Sequence, residues 1–147
     1  VTGPTGPEGS SGLSQYAYVY NLSGEVVAIE ADVNFDSNGL LTPGINHAPG
    51  NAGIEIVQAG IYAVSFSVST TEPSQMAIFL NGNLVPGTIY GSGAGTQQNT
   101  GQAIFAVPAG GVLTVRNHSS ASAVTLATPI GGTQQNANAS VVIEKLG

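Results

Sequence analysis

The chain has 147 residues, of which 41% are hydrophobic and only 7% charged, and its formal net charge of −6 sets eight acids against Arg116 and Lys145 alone. That length suits one domain with a sizeable core, while two basic side chains leave no patch to neutralise phosphates and so exclude nucleic acid and anionic membrane surfaces as partners. The absence of cysteine rules out a disulfide framework and a thiolate metal site, and no apolar run reaches the roughly 18 residues of a membrane-spanning helix.

The first twelve residues, VTGPTGPEGSSG, place Gly3, Gly6, Gly9 and Gly12 in strict three-residue register, with Pro4 and Pro7 directly after glycine. This is Gly-X-Y, the pattern a triple helix imposes because only glycine fits at its crowded axis. A flexible Gly/Pro/Ser linker has no reason to hold that register. The chain opens inside the repeat, so residues 1–12 are expected to end a longer collagen-like stalk, and residues 13–147 to form a globular head.

From Leu13 the pattern becomes short apolar runs broken by turn residues, the mark of strands. QYAYVY alternates around Tyr16, Tyr18 and Tyr20. EVVAIEADVNFD sends Val27, Ile29, Val33 and Phe35 to one side, and Asn38-Gly39 predicts a turn with positive φ after it. Pro43, Gly44, Pro49 and Gly50 mark an open loop. IEIVQAGIYAVSFSVST reads as a strand, a break at Ala59-Gly60 and a longer strand. Asn81-Gly82, between MAIFL and LVPGTIY, is the strongest hairpin signal in the chain, and Pro86 is expected at an edge or bulge. GQAIFAV, PAGG and VLTVRN give strand, turn and strand; AVTLAT precedes a polar loop; and SVVIEKL reads as a central strand buried on both sides. No helical period runs for ten residues. The expected fold class is all-β, an antiparallel jelly-roll sandwich of about eight to ten strands.

The series ADVNFDSNG, PGI, AGIYAVSFSV, MAIFLNGNLV, GQAIFAVPAGGVLTVRN and SVVIEKL resembles the globular heads of the complement q-subcomponent and tumour necrosis factor (TNF-like) superfamily. VPGT, AVPAGG and ASVVIEKL further resemble the C-terminal domains of collagen-like glycoproteins of the Bacillus spore exosporium. The resemblance implies a homotrimeric head whose three chains feed one collagen stalk in the hair-like nap of a spore or another extracellular surface. It also implies O-linked sugars at Thr2 and Thr5. The terminal strand, with Val141, Val142, Ile143 and Leu146, and the Gly-hydrophobic-Tyr strand, with Tyr62 and Phe66, are then the candidates for core and trimer contact. An adhesin or phage-fibre-type module that binds a host surface protein or glycan through three weak copies of one site is the alternative.

Residues that could carry chemistry read blandly. His47 and His118 have no partners at zinc-ligand spacing. Ser119 follows His118, but adjacency does not make a nucleophile and its base. Asp32, Asn34, Asp36 and Asn38 alternate like a calcium loop, yet Ser37 and Pro43 stand where an EF-hand needs glycine and glutamate. Gly91 to Gly101 and Gly131 to Ala139 share the tetrad TQQN and read as solvated loops rather than phosphate cradles. The sequons at Asn21, Asn117 and Asn138 carry little weight. Neither enzyme activity, nor a metal, nor a cofactor is expected.

Overall fold

The structure, a computed structural model, describes residues 14–147. The collagen-like segment, including Thr2 and Thr5, lies outside the described residues. Thirteen strands follow in order among those described: β1 (Tyr16–Asn21), β2 (Glu25–Val27), β3 (Ser37–Leu41), β4 (Ile45–Asn46), β5 (Ile54–Ile56), β6 (Gly60–Ser69), β7 (Ser74–Leu80), β8 (Asn83–Leu84), β9 (Tyr90–Ser92), β10 (Gln98–Val107), β11 (Gly111–Asn117), β12 (Val124–Leu126) and β13 (Ala139–Lys145). Seven have five residues or more. The rest are two- or three-residue pieces.

All pairings between strands are antiparallel. One sheet runs β10-β6-β13-β1-β3, the second β4-β5-β11-β7-β8 with β9 also on β7, and β12 pairs with β2. The two large sheets form a jelly-roll sandwich around one core. Tyr62, Val64, Phe66 and Val68 point inward from β6, and Met76 and Ile78 face them from β7. The PAGG turn carries the chain from β10 in the first sheet to β11 in the second, so those neighbours in sequence do not pair with each other.

The Asn81-Gly82 hairpin forms as expected, with φ of 52° and 79° at the two residues, the positive pair that a type I′ turn requires. Asn38-Gly39 does not turn. Both residues lie inside β3, and Gly39 is needed for a different reason: a Cβ there would come within 2.9 Å of the Tyr18 ring. The stretch EVVAIEADVNFD is strand only to Val27. Ala31 N–H then bonds Ala28 O and Glu30 takes a φ of 63°, which breaks the alternation and leaves Ile29 46% exposed while Val33 and Phe35 stay buried.

SVVIEKL is central in hydrogen bonding, between β6 and β1, but only one of its faces is buried. Val141 and Ile143 enter the core, whereas Val142 is 38% exposed.

Four buried asparagines tie the strand ends. Asn21 Nδ2 donates to Asn138 Oδ1 at 2.9 Å, Asn117 Nδ2 to Val27 O at 3.0 Å, and Asn99 Nδ2 to Tyr90 O at 2.8 Å. The three sequon asparagines are thus interior pins in the folded state.

Candidate assembly surface

The register across the first sheet sorts its side chains into rows. On the face turned away from the core, Tyr16 stands beside Glu144, Ala63 and Ile104; Tyr18 beside Val142, Ser65 and Gln102; and Tyr20 beside Ser140, Ser67 and Thr100. The first row lies at the end where β1 begins and β13 finishes, and the third at the opposite end. The face therefore grades from apolar to polar along the strands. Tyr18 and Tyr20, two residues apart on one strand, stack with ring centroids 5.2 Å apart.

Leu40 on β3 is 76% exposed and Ile104 on β10 67%, at the two edges of the sheet, with Glu144, Ser65 and Gln102 among the side chains between the tyrosines and Ile104. Tyr16, Tyr18, Leu40, Val142 and Glu144 line a groove of about 340 Å³ on it. Apolar side chains gathered on an exposed sheet face are one mark of an interaction surface. A second groove, of about 320 Å³, opens along the sandwich edge between Leu84, Val85 and Pro86 on one sheet and Phe105 and Ala106 on the other.

Of the residues singled out by sequence, Tyr62, Phe66, Val141 and Ile143 lie in the core, and the Tyr62 hydroxyl donates to Gln58 O at 2.7 Å. Val142 lies on the apolar face, and Leu146 is exposed at the chain end, where its N–H bonds Ile61 O. Tyr16, Tyr18 and Leu40 are the face residues that sequence reasoning left unassigned; the QYAYVY alternation was the only signal for the two tyrosines, and Leu40 had none.

The first of the two Gly/Gln/Asn-rich segments is shorter as a loop than it reads, because β9 and β10 take up parts of it. Both lie at the end of the sandwich away from Gln15, whose carbonyl accepts Lys145 N–H at 2.9 Å. That arrangement leaves the exposed loop residues facing away from the end where the chain enters the head.

The alternating oxygens at 32, 34, 36 and 38 diverge. Asp32 pairs with Arg116 at 2.9 Å, whose guanidinium lies 4.0 Å over the Phe79 ring. Asp36 accepts N–H groups of Leu22 and Ser23 at 2.9 and 3.0 Å, and Asn38 binds His47. Among the described residues no group of three His, Cys, Asp or Glu side chains converges as metal ligands would. Glu30 holds His118 Nδ1 at 2.8 Å and accepts Ser119 N–H at 3.1 Å, a surface pair that joins two loops.

Carboxylates in this scaffold pull in opposite directions. Burial alone would raise the Asp36 carboxyl, but hydrogen bonds from Leu22, Ser23 and Ser37 outweigh it and hold it below the usual range; Glu72 is held low in the same way by Thr125. Both stabilise the fold above the ordinary carboxylate range, and that contribution is lost as the pH falls through their lowered values. Burial raises Glu25, and the Asp36 charge adds to it against an opposing bond from Asn34 N–H at 2.9 Å. Its ionised form is thus a penalty at neutral pH. Glu25→Gln, which keeps the acceptor for Asn34, is expected to raise the melting temperature near about pH 7 and to lose that advantage at about pH 3, as read by thermal unfolding at both.

A family model described as the BclA C-terminal domain matches residues 17–147. No curated protein sequence matches the chain. Among solved structures, the globular domain of zebrafish complement 1qA protein is similar with a TM-score of 0.66 at 9% identity, over 90% of this chain and 95% of that one. Murine APRIL gives 0.64 at 11% identity over 90% and 98%, and rabbit GITRL 0.57 at 15% over 91% and 95%. At such identities the likeness is one of fold.

Proposed function

The chain belongs to the BclA C-terminal domain family, and from that premise we propose that it is the non-enzymatic, homotrimeric head of a collagen-like filament on a bacterial spore surface, where it sets the register of the stalk. The apolar outer face of the β10-β6-β13-β1-β3 sheet carries this reading. A closed ring of three identical chains needs a heterologous contact, in which one patch on each copy meets a different patch on the next. The protomer offers two such patches that do not overlap. One is the face around Tyr16, Tyr18, Leu40 and Val142, and the other is the edge around Leu84, Pro86 and Phe105.

The Gly-X-Y register of residues 1–12 supports the same number, since a collagen helix takes three strands. Gln15 and Gly147 lie at one end of the head, next to the apolar end of the face. Three chains joined there deliver their stalk segments side by side.

Light scattering tests the proposal. The full chain is expected at three times its 14.7 kDa, and a version without residues 1–12 at three times its own smaller chain mass; a monomer in the second case removes the head as the source of assembly. The exposed loops at the far end favour a second role in adhesion, in which three copies of a weak site act together. Saturable binding on a glycan or host-protein array supports that role, and its absence leaves the structural one alone.

A further inference from the structure

Asparagine precedes glycine twice in the chain, at Asn38-Gly39 and at Asn81-Gly82. At such a pair the glycine nitrogen has no Cβ beside it to block its approach to the amide carbon of the asparagine side chain. The fold places the two pairs in opposite circumstances. Asn38 and Gly39 lie inside β3, where Asn38 Nδ2 donates to His47 O at 2.8 Å and the Tyr18 ring packs against Gly39. Asn81 and Gly82 form the tip of the β7–β8 hairpin. Both are exposed, and nothing lies within 4 Å of where a Cβ on Gly82 would stand.

The polar contacts of Asn81 are one-sided. Its Oδ1 accepts Val112 N–H at 2.9 Å, and its own N–H donates to Val112 O at 2.9 Å, so the neighbouring strand holds the side-chain carbonyl. Among the described residues none accepts a hydrogen bond from Asn81 Nδ2. A donor on the oxygen favours addition at the carbon beside it, because that oxygen takes up negative charge as the new bond forms. A nitrogen without a partner leaves more readily than one that is held, as Asn38 Nδ2 is.

We infer that Asn81 is a self-modification site of the head, where the exposed turn closes on its own side chain and gives up ammonia, while Asn38 is protected. The Gly82 nitrogen, having lost its proton to hydroxide, attacks Asn81 Cγ. The Cγ–Nδ2 bond breaks, ammonia leaves with a proton taken from water, which returns the hydroxide, and a five-membered cyclic imide remains. Water then opens the ring at either carbonyl, and the product is aspartate or its isoaspartyl isomer. Nothing is oxidised or reduced.

The turn itself calls for the reactive pair, since consecutive φ values of 52° and 79° favour Asn-Gly. Either product adds a negative charge to a chain whose formal net charge is already −6. Asn81 also borders the groove lined by Leu84, Pro86 and Phe105, so weaker self-association with age is a consequence that rests on the assembly reading. The modification does not.

Peptide mapping of the full chain after weeks at mildly alkaline pH reads the site whatever the oligomeric state, with pepsin as the protease because its acidic digestion halts the reaction. The peptide carrying Asn81 is expected to gain one dalton and to split into aspartyl and isoaspartyl forms. It is expected to do so more than about tenfold faster than the Asn38 peptide, because Asn38 reacts only after β3 opens locally. In urea-unfolded chain the two rates are expected to converge. A native chain whose Asn81 stays intact while the unfolded chain converts would overturn the proposal, and so would equal native rates at the two sites.

Discussion

In the trimer proposed above, Val142→Asp is expected to leave the head monomeric with its fold intact. Val142 lies at the middle of the apolar rows, across from Tyr18 on one side and Ser65 on the other. Its side chain leaves the core of its own protomer untouched, because alternation along β13 sends Val141 and Ile143 inward and Val142 outward. In a single chain the new carboxylate stays in water and costs little. In an assembly that covers this face it is desolvated with no cation to meet it: Arg116 is engaged by Asp32, and Lys145, the other basic side chain of the sequence, follows Glu144, a carboxylate already on the same face. An unpaired buried charge costs several kcal/mol, so association weakens by more than about a hundredfold. Light scattering and circular dichroism read the two halves of the expectation separately. A trimer that survives the Val142→Asp substitution would show that another surface holds the copies together.

Much of the fold was legible because the sandwich imposes a period of two and the chain obeys it. The β6 residues Tyr62, Val64, Phe66 and Val68 are buried and their neighbours less so, as alternation requires. Asn81-Gly82 was legible for a local reason, since few other pairs tolerate two consecutive positive φ values. What misled was identity of pattern with different cause. Asn38-Gly39 carries the same two residues, but there the asparagine amide is spent on His47 and the glycine makes room for a tyrosine ring.

The face of the terminal strand was illegible in another way. SVVIEKL is apolar on both sides although only one side meets the core of its own chain and the other, with Val142, stays exposed, and a run of valines carries no mark of which side is which. The buried asparagines also escaped notice. Their role depends on carbonyls far away in sequence, as with Asn21 and Asn138, and a sequon motif is indifferent to that.

Phe35→Ala against Ile29→Ala separates pattern from burial on one short segment. Both residues fall on the same side of EVVAIEADVNFD when it is read as a strand, and both are large and apolar. In the structure the segment leaves the strand after Val27, and the two residues part company. Phe35 is fully buried. Its N–H bonds Asn51 O at 3.2 Å, its carbonyl accepts Gly50 N–H at 2.7 Å, and its ring meets the His47 edge. The backbone on both sides is thereby fixed to the 48–51 loop, and the site cannot collapse around a smaller side chain. Truncation to alanine leaves a cavity and is expected to cost about 3–5 kcal/mol, a drop in melting temperature on the order of 10 °C when protein concentration is held constant. Ile29 has nearly half its surface in water, and its loss is expected to stay within about 0.5 kcal/mol. Equal costs would mean that the alternation continues past Val27 and that the turn at Glu30 does not form. Unequal costs in the stated order locate the end of β2 by energetics alone and set the turn at Glu30 before the residues that return to the core along β11 and the 48–51 loop.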